Sequence, residues 1–179
     1  QSKQARAQMP DKERTLSQLT QEDIDWMKKL PPLHVFDDLK LILVHGGLYP
    51  KLPLYNQPIN VIRAQMIHPY QDGKSRWWGI SAKQGSKFTE EESYAQGFRR
   101  WYEIYDYAYD CAYGHSVFQA PNIHQNPGMG KTFGIDTGSC FGGWLTGMIH
   151  NGQDEFAFKQ IRAKKIWVKD ELKQFGDIE

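Results

Sequence analysis

Two histidines in this chain each close an apolar run beside glycine, at Leu41-Ile42-Leu43-Val44-His45-Gly46-Gly47 and at Tyr109-Asp110-Cys111-Ala112-Tyr113-Gly114-His115-Ser116. An apolar run closed by glycine reads as a buried strand entering a tight turn. A histidine there stands at the rim of a sheet, where α/β proteins collect their ligands. Imidazole is the commonest side-chain metal ligand and a common general acid–base. His45 and His115, delivered to one rim, would give two of the nitrogen donors of a metal site. A catalytic zinc site has three protein ligands and a water, and two-metal sites add carboxylates, so the pair by itself is incomplete. A single strand-end histidine is more often a structural polar group than a ligand, and two in the same context favour the ligand reading.

Three further residues carry possible chemistry. Asp136, in Gly134-Ile135-Asp136-Thr137-Gly138, could orient an imidazole by accepting its second N–H, or could bond the backbone of its own turn. Arg63 and Arg76 lie between the two histidine runs, and a forked guanidinium suits phosphoryl oxygens. Arg76 is the stronger of the two, because Trp77 and Trp78 follow and could hold it; an arginine stacked on a surface indole is the plainer reading. His68 and His124 read as loop histidines.

Other patterns carry less. Gly128-Met129-Gly130-Lys131-Thr132 imitates a phosphate-binding loop, but the first glycine of that motif would fall on Gln125, so the match fails. Arg99-Arg100-Trp101-Tyr102 could form a basic and aromatic nucleic-acid surface, yet aromatics at this spacing more simply pack a core. Cys111 and Cys140 form neither a C-x-x-C pair nor a disulfide framework, and read as small buried residues in strands.

The elements that must position these residues follow from pattern. A chain of 179 residues with 40% hydrophobic and 24% charged content has enough material for one domain with a core. A net charge of +1 gives no general attraction to nucleic acid or anionic membrane. No apolar run approaches the ~20 residues of a membrane helix, and no signal-peptide core opens the chain, so a reducing, cytoplasmic setting is expected. Residues 1–19 read as a polar, exposed arm, and 20–179 as the folded domain. Thr20 caps a helix with Ile24, Met27 and Leu30 on one face, ended by Pro31-Pro32. Leu33–Phe36 and Leu39–His45 form a hairpin turning at Asp37-Asp38. Thr89-Glu90-Glu91-Glu92 opens a helix expected to run to about Tyr107. Short strands follow at Gly134–Gly138, at Trp144–Ile149 and around Phe156–Ile161, with a charged helix over Lys169–Phe175. The class is α/β with a mixed sheet flanked by helices.

With these residues in order, the chain resembles a known family. Leu43-Val44-His45-Gly46-Gly47-Leu48, then Tyr113-Gly114-His115-Ser116, then Gly134-Ile135-Asp136-Thr137-Gly138 with Gly142-Gly143 and Leu145-Thr146, is similar to the second half of a calcineurin-like metallophosphoesterase. The nearest branch in style holds bacterial and phage serine/threonine phosphatases and diadenosine-tetraphosphate hydrolases. The resemblance spans about residues 20–165. The family's Gly-Asp-x-His-Gly, Gly-Asp-x-x-Asp-Arg-Gly and Gly-Asn-His-Glu motifs do not occur here.

The resemblance implies a fold, the carboxyl-terminal half of a metallophosphoesterase sandwich, and an activity, phosphoester hydrolysis by water activated on two divalent metals (manganese or iron, with zinc as another option). It implies that His45 and His115 bind metal and that Arg76, by its region, contacts phosphate; the supporting role of Asp136 is read from the residues alone, beside its own-turn alternative. The substrate would be a phosphoprotein, a dinucleoside polyphosphate or an RNA end. This chain would supply part of the site, the rest coming from an amino-terminal half on the same or another polypeptide. The competing reading is a non-catalytic truncated or degenerate fragment that binds a partner or dimerises through exposed sheet edges. A nucleic-acid-binding module is the third reading.

Overall fold

The computed structural model describes residues 10–59, 62, 66–67, 90–150 and 155–168. Two compact units divide the chain at Pro31/Pro32. The first contains helix α1 (Pro10–Gln18), inside the stretch expected as a polar arm, and helix α2 (Gln21–Lys29). Thr20 caps α2 reciprocally: its hydroxyl accepts the Asp23 N–H at 3.1 Å, and the Asp23 carboxylate accepts the Thr20 N–H at 2.8 Å. The Thr20 hydroxyl also donates to Asp23 Oδ2 at 2.7 Å, and this bond, followed by that from the Thr20 N–H, holds the Asp23 carboxyl below its ordinary range. Acids in the first turn and Lys28 and Lys29 in the last complement the helix dipole. Leu30, before Pro31, is already extended. Met27 and Leu30, on the face expected to be apolar, remain 41% and 49% exposed.

The second unit is built on strands β1 (Leu33–Phe36), β2 (Leu41–Val44), β3 (Met66–Ile67), β4 (Arg99–Arg100), β5 (Asp110–Tyr113), β6 (Asn122–Gln125), β7 (Lys131–Gly134), β8 (Asp136–Thr137), β9 (Trp144–His150) and β10 (Phe156–Arg162). The principal sheet has the order β1-β2-β5-β7-β6. Its three central strands are parallel, and the hairpin partners β1 and β6 are antiparallel edges. The mixed sheet expected from sequence is present in a mixed α/β fold. Parallel central strands are covered on both faces, which is why β2 reads as a continuous apolar run.

Strand alternation divides the core. Ile42, Val44, Cys111 and Tyr113 face one cluster with Leu48, Tyr49 and Trp101, whereas Leu41, Ala112 and Phe133 face another with Met148, Phe156 and Phe158. The second cluster joins the principal sheet to the three-stranded sheet β10-β9-β8; Phe133 and Phe156 rings lie 4.6 Å apart between centroids. Hydrophobic burial on both faces therefore fixes β2 and β5 in register.

Three local expectations are corrected. The helix opening near Thr89 does not reach Tyr107: it is α3 (Glu90–Ala95), and the chain then enters β4 and a 3₁₀ turn over Trp101–Ile104. Gly97, at φ 88°, ends it, with Gly97 N–H on the Tyr94 carbonyl and Phe98 N–H on the Ser93 carbonyl. That is a Schellman stop, which an apolar residue after glycine favours. Trp101 is wholly buried, as core packing rather than a stacking surface. Cys111 is buried in β5, but Cys140 is exposed in the 3₁₀ turn Ser139–Phe141 rather than buried in a strand. His124 lies on β6, not in a loop, because β6 pairs along its length with β7; its Nε2 meets Asn126 Oδ1 at 3.0 Å.

The segment imitating a phosphate loop is the hairpin turn between β6 and β7, closed by Met129 N–H on the Asn126 carbonyl. No helix among the described residues is long and apolar enough to cross a membrane. The helix expected over Lys169–Phe175 lies outside the described residues.

Candidate metal centre

The parallel pairing of β2 and β5 builds the site. Their register places Val44 beside Tyr113, so His45 and Gly114 leave the sheet together. The Gly114 N–H donates to the His45 carbonyl at 2.9 Å, extending the ladder one step beyond the strands. His115 then turns back at φ 64°, a left-handed conformation that histidine enters more readily than most side chains. As a result His45 Nε2 and His115 Nδ1 stand 3.2 Å apart, with ring centroids 4.8 Å apart.

Two nitrogens bound to one ion at ~2.0–2.1 Å with tetrahedral angles stand roughly 3.4 Å from each other. The observed separation fits two ligands of one ion. The same distance allows an N–H···N bond, one ring donating and the other accepting, so a proton can occupy the position that a metal would take. Among the described residues no group of three or more His, Cys, Asp and Glu is arranged to hold a metal. The described residues thus present two converging nitrogen donors, His45 and His115.

The histidines open onto a cavity of about 470 Å³, lined also by Asp136, Thr137, Ser139 and Trp144. Asp136 Oδ1 accepts the Gly138 N–H at 3.1 Å, and the Asp136 carbonyl accepts the Phe118 N–H at 2.9 Å. The carboxylate is therefore engaged in its own turn while it borders the site. Gly138 at φ 72° and Gly142 at φ 85° bracket the Ser139–Phe141 turn, left-handed positions that glycine takes without strain. Thr137 and Thr146 hydroxyls bond across β8 and β9 and close the cavity floor. Sequence reasoning did not select Thr137, Thr146 or Trp144 as site residues, because only the β8–β9 pairing brings them to the histidines.

From its position in the sequence, the glycine beside His115 reads as a site of close backbone approach. A Cβ on Gly114 would meet the His45 carbonyl oxygen at 3.6 Å and Asp136 Cβ at 3.9 Å, which are ordinary contacts. Close approach does not require glycine at that position. Arg63, Arg76 and His68 lie outside the described residues.

No family model matches the chain. A curated protein and a solved structure are similar to parts of it. A 28-residue segment is 54% identical to the symmetrical bis(5′-nucleosyl)-tetraphosphatase of Hamiltonella defensa subsp. Acyrthosiphon pisum (strain 5AT), covering 16% of this chain and 10% of that protein. A solved structure, described as a candidate diadenosine tetraphosphatase, superposes with a TM-score of 0.60 at 14% identity, over 84% of this chain and 59% of that one. The chain therefore spans less than two thirds of the solved structure, and its sequence match to the curated relative is one short segment. The structural likeness is one of fold, and the sequence likeness is confined to that 28-residue segment.

Proposed function

We propose that this chain is part of a metal-dependent phosphoester hydrolase, with His45 and His115 as two ligands of one divalent ion. The observation that carries the reading is the 3.2 Å convergence of His45 Nε2 and His115 Nδ1 at the ends of adjacent parallel strands. The likeness of fold to a candidate diadenosine tetraphosphatase supports it. When bound, divalent metal lowers the pKa of water and offsets phosphoryl charge. The chain's own contribution is positional: His45 and His115 present nitrogen lone pairs to one point, and Gly114 locks their backbones together. Asp136 fixes the turn that forms the opposite wall. Arg76 is proposed as a phosphate contact. The substrate is proposed to be a phosphoprotein, a dinucleoside polyphosphate or an RNA end, in a cytoplasmic setting.

The described residues hold two metal donors and no third, which favours a site completed by other residues of the same polypeptide or of a partner. On this reading the chain alone binds metal weakly and turns over phosphoesters poorly. The alternative, a fragment that binds a partner or dimerises without catalysis, draws on the edge strands β1 and β6, each paired on one side only within the described sheet.

The test is equilibrium binding of Mn²⁺ and Zn²⁺ to the purified chain and to His45→Ala and His115→Ala. Loss of either imidazole is expected to weaken binding by tenfold or more, within the range of about 10–100-fold seen even for residues that only support a ligand. Unchanged binding in both variants would overturn the assignment. Phosphoester hydrolysis undiminished in His45→Ala would overturn it as well.

A further inference from the structure

A second cavity of about 330 Å³ adjoins the first. Ser139 and Leu145 line both. The partition between them is a stacked pair: Trp144 lines the first cavity, Arg162 lines the second, and the guanidinium lies 5.4 Å from the Trp144 ring centroid. Register explains the pair, since Trp144 opposes Arg162 and Leu145 opposes Ile161 across β9 and β10. The outer wall is Trp167, whose N–H donates to the Cys140 carbonyl at 3.0 Å, while Ala163 N–H donates to the Gly143 carbonyl at 2.9 Å. These bonds tie the segment after β10 to the turn that borders the histidines.

The chemistry of this second cavity is distinctive. Leu145, Ile161 and Trp167 are 63%, 70% and 68% exposed, an unusual concentration of large apolar surface around one concavity. Lys165 Nζ sits 3.7 Å from the Trp167 ring centroid, and Arg162 lines the wall, so both nearby charges are positive. Among the described residues, no aspartate or glutamate lines the cavity. An apolar, indole-walled recess with a cationic rim selects a flat ring carrying negative charge. The volume accommodates one or two fused rings.

We infer that this recess is a binding subsite for the aromatic group of a phosphoester whose phosphoryl end lies at His45 and His115. The inference rests on the phosphoester reading of the histidine pair and adds the substrate's other end. Trp167 and Ile161 cover the ring, and Arg162 lies between the ring and the phosphoryl oxygens. An aryl phosphate offers a ring to the second cavity, and an alkyl phosphate has none to place there.

The experiment is a titration of the intact chain, in the presence of Zn²⁺, with inorganic phosphate, methyl phosphate and phenyl phosphate. Indole N–H and imidazole resonances are followed by NMR, with Trp167→Phe assigning the Trp167 signal. Phenyl phosphate is expected to shift Trp167 and the two histidines together, and to bind about tenfold more tightly than methyl phosphate, the usual scale of one ring stacked on an aromatic side chain. Trp167→Ala is expected to bring phenyl phosphate down to the methyl phosphate affinity, and Trp167→Phe to keep most of the preference. Equal affinities for the two esters, or a preference that survives Trp167→Ala, would overturn the subsite and leave the histidine assignment standing. Histidine signals unmoved by inorganic phosphate would instead remove the phosphoester reading; a Trp167 shift by phenyl phosphate in that case would mark a ring site unconnected to a phosphoryl site, and the inference falls with it.

Discussion

The Gly114 amide hydrogen-bonds to the His45 carbonyl at 2.9 Å, and the next residue, His115, meets the His45 imidazole at 3.2 Å. The imidazoles are thus held from beneath by backbone rather than by contact between flexible side chains. Such a pair needs little rearrangement to accept an ion, because the ordering cost is met by the sheet.

The left-handed backbone at His115 gives a stability prediction separable from metal binding. His115→Gly is expected to retain or raise stability, since glycine enters that conformation freely, while losing the metal response. His115→Val, β-branched, is expected to cost about 1–2 kcal/mol. Urea unfolding of the metal-free variants measures both.

Two glycines of similar sequence context should respond oppositely. Gly114→Ala makes only ordinary contacts and is expected to leave stability within about 0.5 kcal/mol. Gly134→Ala would place its methyl 2.6 Å from Phe118 Cε2 and 2.8 Å from Tyr113 Cζ, and is expected to cost about 1–3 kcal/mol. Thermal unfolding of the two variants side by side checks the contrast.

Asp106 makes stability depend on pH. Burial pushes its carboxyl above the ordinary range, against the Lys51 N–H that its Oδ2 accepts at 2.8 Å, and its Oδ1 is buried without a partner. The folded chain then holds the proton more tightly than the unfolded chain. This contribution to stability is present below the unfolded carboxyl pKa of about 3.9 and is lost as pH rises through the raised folded value. Asp106→Asn should flatten that part of the profile, measured by urea unfolding from acid to neutral pH. A wild-type curve rising throughout relative to Asp106→Asn would contradict it.

Cysteine reactivity should divide cleanly. Cys111 is wholly buried, which pushes its thiol well up, whereas Cys140 is exposed. A thiol reagent is expected to label one site in the native chain, lost in Cys140→Ser, and a second only after unfolding. Mass spectrometry of the labelled chain reports the count.

Local pattern carried much of this architecture. The continuous apolar run of β2, the Thr20 cap, the Asp37–Lys40 turn and the Gly138–Gly143 turn are legible because each depends on residues within a few positions. Where a competing local signal was passed over, the reading failed. Gly97 before Phe98 stops α3 after six residues, although the capping pattern ahead of it suggested a longer helix. Cys140 was placed in a strand because composition says nothing of the turn between two left-handed glycines.

The amino-acid sequence by itself determined that His45 and His115 end apolar strands beside glycine, because strand and turn preferences are written in neighbouring residues. Only the tertiary structure decided that the two imidazoles meet, that Asp136 bonds its own turn, and that Trp144 and Arg162 separate two cavities. The histidines stand 70 positions apart, and the residues between them carry no local record of their distance. That distance is set by the parallel register of β2 and β5, which burial on both faces of the sheet enforces.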